Sequence, residues 1–467
     1  MPIRAKGRRP RALYLSFYFP PSRASGVYRS LAAANHLTAR GWDVTVFAAP
    51  LRFLKDAVGS LDEKLADAVN ERIRVERPGL NQFIWERDVR KYSRFRQLLP
   101  VTARNLYQFG QRMFPEHYAS WAWASVRKAL RLHTRRRFDV IVATGNPFAS
   151  FAAAWLIHRL TGVPYVLDYR DSWTLDLFAE KPAYPAGHPV WAWEKRVLSS
   201  ASAVLFVNEA LRSWHAERYP QVAERMMVVP NGWDPDLLAE PEPVGPSGAG
   251  DAAPTRTAAG LRFSYVGTVT EAQPVEEMVE AFRLARRHPD LASATLDIFG
   301  HLGFFQGSQM KLLDRLGLDP GVERPANPET GVRYRGPVSK TEVARAYAES
   351  DVLVFLVGGA RYVTSGKIFE YMASGRPIVS VHAPGIAATE VLTGYPLWFN
   401  ADSLDPEQIA QSMIAAGKLA QDMTPELRAA ARRHAETYAR SAVLAPLEAK
   451  LRVLAGAADR TGEGVDR

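Results

Sequence analysis

The chain has 467 residues, 47% hydrophobic and 23% charged, which is more than one ordinary core holds and argues for two or three domains. It contains no cysteine, which excludes a disulfide framework and thiolate metal sites and fits a reducing, cytoplasmic compartment. The net charge of +10 favours anionic partners: nucleotides, nucleic acids or acidic lipid surfaces.

The basic N-terminus leads into an apolar run, Ala12 to Phe19, that stops at Pro20-Pro21. That run is too short for a signal peptide, and we read it as a buried first strand. No stretch of about 18 apolar residues occurs, so no membrane span is expected. Pro20–Gly26 reads as a loop, Val27–Arg40 as a helix stopped by Gly41, and Asp43–Ala49 as a second strand. This strand–loop–helix–strand unit is the seed of a parallel sheet. Gly26, in the first loop, permits close backbone approach to a ligand, although loops also need glycine for their own geometry.

Leu51–Arg137 is less regular, with helices expected at Leu61–Val69 and Ser120–His133. Basic residues cluster in Arg4–Arg11, Arg87–Arg112 and Arg127–Arg137, and Phe83, Trp85, Tyr92, Phe95, Tyr107, Phe109 and Phe114 lie in or beside the middle cluster. Two readings stay open: a solvated arginine-rich face, or a surface that rests on an anionic membrane without crossing it.

The α/β rhythm resumes with the strand Asp139–Ala143, the helix Phe148–Leu160 and the strand Pro164–Tyr169. Polar residues just past the carboxyl end of a parallel strand sit where open α/β sheets place their chemistry. Asp168, Arg170 and Asp171 are therefore site candidates, against a plain reading in which they form a salt-linked loop. A helix at Val190–Ser200, a strand at Ala203–Val207, a helix at Leu211–Arg218 and a strand at Met226–Val229 follow, then the turn Pro230-Asn231-Gly232. Asp236–Gly260, rich in Pro, Gly and Ala, reads as a linker or insert.

The second half repeats the theme. Strands are expected at Leu261–Val266, Thr295–Phe299, Val332–Tyr334, Asp351–Val357, Pro377–Val381 and Leu397–Phe399. Helices are expected at Val275–Arg287, Thr341–Ser350, Ile386–Leu392, Pro406–Ala420 and within Pro425–Ala455. The stretch Ser365–Pro377, SGKIFEYMASGRP, stands out. Ser365-Gly366 opens a short helix with Lys367 at its start and Glu370 three residues on, nearly on the same face. Unpaired amides and a cation at a helix start attract phosphate, and a carboxylate one turn later accepts from a diol such as a ribose. The plain alternative is an ordinary amphipathic helix in an α/β domain. Two doubly wound halves joined by a linker imply a cleft.

The segments FPPSRASGVYRS, VLDYRDSW, VPNGWD, FSYVGTVTEAQPVEEMVEAF, VRYRGPVSKTEV and SGKIFEYMASGRPIVS, in this order, resemble the GT-B glycosyltransferases, specifically the family 4 retaining, nucleotide-sugar-dependent enzymes. The resemblance covers nearly the whole chain. It implies an α/β GT-B fold: an acceptor-binding Rossmann-like domain over 1–235, a linker over 236–260, and a donor-binding Rossmann-like domain over 261–429. It also implies a last helix, within 430–460, that returns to the first domain. Glu370 matches the second Glu of the family's Glu-x7-Glu motif, the ribose acceptor, while Tyr362 stands at the first. Arg361 and Tyr362 are then placed at the sugar or phosphate. The family often has an Arg and a Lys that grip the diphosphate, the Arg near the first loop of this domain; that loop here offers Thr268 and Gln273 instead, which leaves Lys367 as the cation for that role, with Ser365 and Gly366 beside it. Gly267 and Thr268 bring backbone close to phosphate, Pro337 and Val338 belong to the loop beside the nucleobase, and Gly26 resembles the glycine facing the donor phosphates. Arg170 stands where many members have His, before Asp171, and its permanent charge rules out a base role.

What the resemblance implies is a metal-independent transfer from a nucleoside-diphosphate sugar, with no other cofactor, to a sugar, glycolipid or small-molecule acceptor in bacterial surface polysaccharide or glycolipid synthesis. Lys367, Arg170 and Asp171 are its catalytic candidates. The protein would be cytoplasmic, with peripheral contact to the inner face of a membrane. Alternatives are tailoring of a soluble secondary metabolite, a nucleotide-sugar 2-epimerase on the same fold and, remotely, a nucleic-acid-binding protein. No nucleic-acid motif accompanies the positive charge, so no nucleic-acid partner is expected.

Overall fold

The computed structural model describes residues 8–238 and 260–461, apart from positions 25, 60, 82, 87, 304–305, 320, 323–324, 339 and 360. The chain forms two compact units, 1–230 with 443–467, and 231–442. The boundary lies a few residues before the expected 235. Asn231 donates to the Thr364 carbonyl (3.4 Å) and the Trp233 indole to that of Ala435 (2.7 Å), which ties both to the second unit. Most of the expected linker lies outside the described residues, and its first positions belong to a short helix, Pro235–Leu238.

The first unit holds β1 (Arg11–Leu15), β2 (Asp43–Phe47), β3 (Arg74–Glu76), β4 (Val140–Gly145), β5 (Tyr165–Tyr169), a small hairpin of β6 (Leu175–Asp176) and β7 (Lys181–Pro182), then β8 (Ala203–Phe206) and β9 (Met226–Val228). Its main sheet is parallel throughout, in the order β3-β2-β1-β4-β5-β8-β9. Strands buried on both faces read as unbroken apolar runs, which is why VIVA and AVLF were recognisable. β1 ends at Leu15 instead of Phe19. Phe17 and Phe19 remain buried in the loop beyond the ladder, so hydrophobicity alone overextended the strand. The final helix, Arg440–Thr461, packs here too: the Trp42 indole donates to Glu448 (3.0 Å) and Arg452 to the Arg40 carbonyl (2.6 Å).

The second unit holds β10 (Arg262–Val266), β11 (Thr295–Phe299), β12 (Ala326–Asn327), β13 (Val332–Gly336), β14 (Val352–Leu356), β15 (Ile378–Val381) and β16 (Trp398–Asn400). The order is β12-β13-β11-β10-β14-β15-β16, parallel except for β12. Side chains alternate across each strand. Val352, Val354 and Leu356 join one core with the helices Val275–Ala285 and Pro406–Gln421, while Leu353 and Phe355 join the other with Lys367–Ala373 and Pro425–Glu436. In both sheets the strand order reverses once, between β1 and β4 and between β10 and β14. Open α/β sheets bind ligands beyond the carboxyl ends of the strands flanking such a reversal.

Candidate active site

In the second unit the sequence candidates gather at that reversal. Gly267 and Thr268 follow β10, and Arg361 to Glu370 follow β14. Gly267 has φ +151°, which L side chains rarely adopt, and its N–H donates to the Phe299 carbonyl (2.6 Å). A Cβ built there would lie 1.7 Å from the Lys367 Nζ. The face of this glycine expected to lie bare against phosphate is therefore covered by the Lys367 side chain, and the missing side chain is what admits the ammonium.

The Tyr265 hydroxyl fixes this arrangement. It donates to the Thr268 carbonyl (2.8 Å) and accepts from Gln273 Nε2 (3.2 Å) and Lys367 Nζ (3.3 Å). The ammonium also sits 5.1 Å from the centroid of the same ring. Gln273 further donates to the Leu356 carbonyl (2.9 Å) and accepts from the Thr270 amide (2.8 Å), so it folds its own loop and joins it to β14. Among the described residues Lys367 forms no ion pair with a carboxylate, and its charge stays available for an anion.

Lys367–Ala373 is only two turns long. The amide of Lys367 is directed at the Ser365 hydroxyl (3.4 Å), and Gly366 has ordinary helical dihedrals with open space where a Cβ would stand. The site's charge therefore comes mainly from the ammonium and not from a helix dipole. One turn on, Glu370 accepts from the Tyr347 hydroxyl (2.9 Å). Burial, and then the Glu370 charge, push the Tyr347 phenol well above its usual range, so it stays a donor. Glu370 lines a cavity of about 320 Å³ with Tyr347, Ser374, Arg376, Arg432 and Glu436. Arg361 is exposed and lies 5.6 Å from the Tyr362 ring centroid, whereas Tyr362 itself is buried. Pro337 is exposed after β13, and Val338 packs onto the second core.

In the first unit, Gly26 and Arg170 meet. A Cβ on Gly26 would fall 1.2 Å from the Arg170 Nη1. The close approach to this glycine is thus made by a guanidinium, which also pairs with Asp171 (2.9 Å). Asp168 is not part of this group. It is buried and bonded by the Arg29 Nε (2.9 Å) and Nη2 (2.8 Å), while Arg29 Nη1 reaches the Pro230 carbonyl (3.0 Å). A carboxylate so enclosed fixes the fold and is removed from the site candidates.

Sequence reasoning missed two groups beside this loop. Glu194, fully buried, accepts from Thr174 (2.6 Å), Tyr219 (2.7 Å) and Tyr169 (3.2 Å), and His215 lies 3.6 Å away and reaches Ser172 (3.3 Å). This network anchors the residues that follow Arg170-Asp171. Glu116, also buried, accepts from the Phe148 amide at the start of Ala149–Thr161 (2.9 Å), beyond β4, and burial raises its carboxyl to about 7. No spacing rule links these partners in the sequence. Among the described residues no three His, Cys, Asp or Glu side chains gather as metal ligands.

A family model described as "Glycosyl transferase 4-like domain" matches residues 26–232, and one described as "Glycosyl transferases group 1" matches residues 260–418. The chain belongs to the GT-B glycosyltransferases. No curated protein matches its sequence. Among solved structures, a glycosyltransferase from Rickettsia africae ESF-5 is 11% identical, with a TM-score of 0.65 over 96% of this chain and 99% of its own. Sucrose-phosphate synthase from Thermosynechococcus elongatus is 14% identical (TM-score 0.59, covering 96% and 100%). The Anabaena protein Alr3699/HepE in complex with UDP is 15% identical (TM-score 0.58, 95% and 100%). At these identities the likeness concerns the fold of this glycosyltransferase, whereas the two family matches concern its class.

Proposed function

We propose that this protein is a retaining glycosyltransferase that moves a sugar from a nucleoside-diphosphate sugar to an acceptor, without a metal ion, in bacterial surface polysaccharide or glycolipid synthesis. The observation that supports this best is the Lys367 ammonium, unpaired with any described carboxylate, held over Gly267 and one helical turn from Glu370. HepE binding UDP on the same fold makes a uridine donor the first to test. In this reading Lys367 neutralises charge on the leaving diphosphate, and Glu370, oriented by Tyr347, accepts from the ribose diol. The leaving diphosphate helps remove the acceptor proton, so the protein's part is positioning and charge stabilisation. Arg170 and Asp171 stand on the acceptor side, where the guanidinium orients a substrate oxygen and takes no proton.

Nuclear magnetic resonance of the product tests this. Donor and product sharing one anomeric configuration is the expected result. Inversion would overturn the retaining mechanism, and conversion of the donor to an epimer with no acceptor present would replace transfer altogether.

A further inference from the structure

The segment between β3 and β4 carries two helices, Arg94–Leu98 and Pro100–Met113, that the proposed chemistry does not use. The second has two unlike faces. Ala103 is buried, Tyr107 stacks on Phe83 (ring centroids 4.7 Å apart) and bonds His117 (2.6 Å), and Gln111 donates to the Glu116 carbonyl (3.0 Å). That face fastens the helix to the protein. Thr102, Leu106, Phe109 and Met113, spaced four, three and four apart, form a second stripe that faces solvent. Phe109 is 61% exposed and Met113 62%, and Val101 (70%) and Leu98 (78%) extend the patch. Eight of the seventeen large hydrophobics exposed among the described residues fall between positions 89 and 113. Scattered singly they would be ordinary, but concentrated on one element they mark a contact surface.

The charge around the patch selects its partner. Residues 89–115 contain six basic residues and no acidic one. Arg96 is folded onto Tyr92, with its guanidinium 3.4 Å from the ring centroid, and Arg104 and Arg112 lie on exposed positions of the helix itself. Beside the patch opens a groove of about 580 Å³ lined by Lys91, Arg96, Phe95 and Leu106, with Arg52 paired there to the carboxylate of Glu86 (3.0 Å), so cations outnumber acids three to one. A second copy of this chain meeting the patch about a two-fold axis would set these cations against themselves. An apolar stripe with a basic rim suits an interface where apolar chains lie under anionic headgroups.

We infer that the Arg94–Met113 helices dock this protein onto a bilayer bearing anionic phospholipid. The docked element touches the acceptor-side loop: the Met113 carbonyl accepts from the Trp193 indole (2.7 Å), and Phe114 packs edge-on to Trp173, three residues after Arg170. A lipid-linked acceptor would reach the protein at this surface. That last assignment rests on the glycosyltransferase reading, and the docking does not.

Co-sedimentation with vesicles of phosphatidylcholine alone, and with added phosphatidylglycerol, at low and high salt, tests the docking with no sugar present. The wild type sediments with the anionic vesicles, less so at high salt. Leu106→Ser with Phe109→Ser, both exposed and with an unchanged melting temperature, weakens binding at least about tenfold on either membrane. Arg104→Ser with Arg112→Ser weakens it on anionic vesicles only. The inference is overturned if the wild type stays in the supernatant with anionic vesicles at low salt, or if the apolar double variant binds as well as the wild type. It is also overturned if the wild type dimerises through this face without lipid and the apolar variant is monomeric. Vesicle binding without donor binding would sink the enzymatic reading and leave the surface, and donor binding without vesicle binding would do the reverse.

Discussion

Gly267→Ala tests how the site is assembled without altering the Lys367 or Glu370 side chain itself. The new Cβ would stand 1.7 Å from Lys367 Nζ, 2.3 Å from Cε and 3.0 Å from Cδ. Ordinary contact distances require the ammonium to retreat by about 2 Å. An ammonium about 4 Å from a phosphate oxygen is worth about 4 kcal/mol at an effective dielectric of 20, and about 3 kcal/mol at 6 Å. The displacement therefore costs roughly 1.4 kcal/mol, or about tenfold in affinity for a nucleoside diphosphate. Lys367→Ala removes the whole interaction of about 4 kcal/mol and should weaken binding about a thousandfold. The two effects share one cause, so the double variant should bind no worse than Lys367→Ala alone. Calorimetric titration of the four proteins with UDP gives the cycle. Alanine at φ +151° also strains the backbone by about 1–3 kcal/mol, which thermal unfolding measures separately. If the Gly267→Ala penalty persists undiminished in the Lys367→Ala background, Gly267 does not act through Lys367 and the packing argument is wrong.

Glu370→Gln, which keeps the shape and removes the charge, should weaken donor binding more than it lowers turnover. Tyr347→Phe should weaken it by a smaller factor of about 2–10, the loss of one orienting hydrogen bond. Donor affinity equal to the wild type's in both variants would remove this pair from the ribose site. Glu116 should make the fold pH-dependent. Its carboxyl is raised by burial from its usual 4.5 to about 7, so over that window the native state holds a proton that the unfolded chain has released. Its contribution is fully present below pH 4.5 and is lost as pH rises through 7, by about 3 kcal/mol in all. Glu116→Gln should flatten denaturant midpoints between pH 5 and about 8; an unchanged slope would show that Glu116 is ionised throughout. Asp168→Asn removes the carboxylate that pairs with the buried Arg29 guanidinium and should cost about 3–5 kcal/mol of stability in urea titrations. Loss of turnover at full stability would instead return Asp168 to the site candidates.

The sheets were legible because burial on both faces writes itself into the strands: Thr295–Phe299 is observed with the expected bounds. The helix Pro100–Met113 was not legible. Its apolar residues Leu106, Phe109 and Met113 point to solvent while its packed face offers only Ala103 and Tyr107, so its burial does not follow its hydrophobic pattern. At the site, Lys367 and Glu370 could be picked out because three residues of helix fix their relative position whatever the rest of the chain does. Partnerships were not legible where tertiary folding chooses them. Asp168 looked available until Arg29, 139 residues away, enclosed it. Gly26 and Gly267 looked like ligand-facing glycines, and only the structure brings Arg170 and Lys367 onto them. A glycine's empty face is visible in a sequence, but what fills that face is not.

The central claim, that Lys367 holds the donor's diphosphate, is tested most directly by calorimetric titration of wild type and Lys367→Ala with UDP-, GDP- and dTDP-sugars. The account predicts saturable binding of one donor class by the wild type and its weakening by about a thousandfold in the variant, with both proteins melting at the same temperature. A variant that binds the same donor as tightly as the wild type would contradict it.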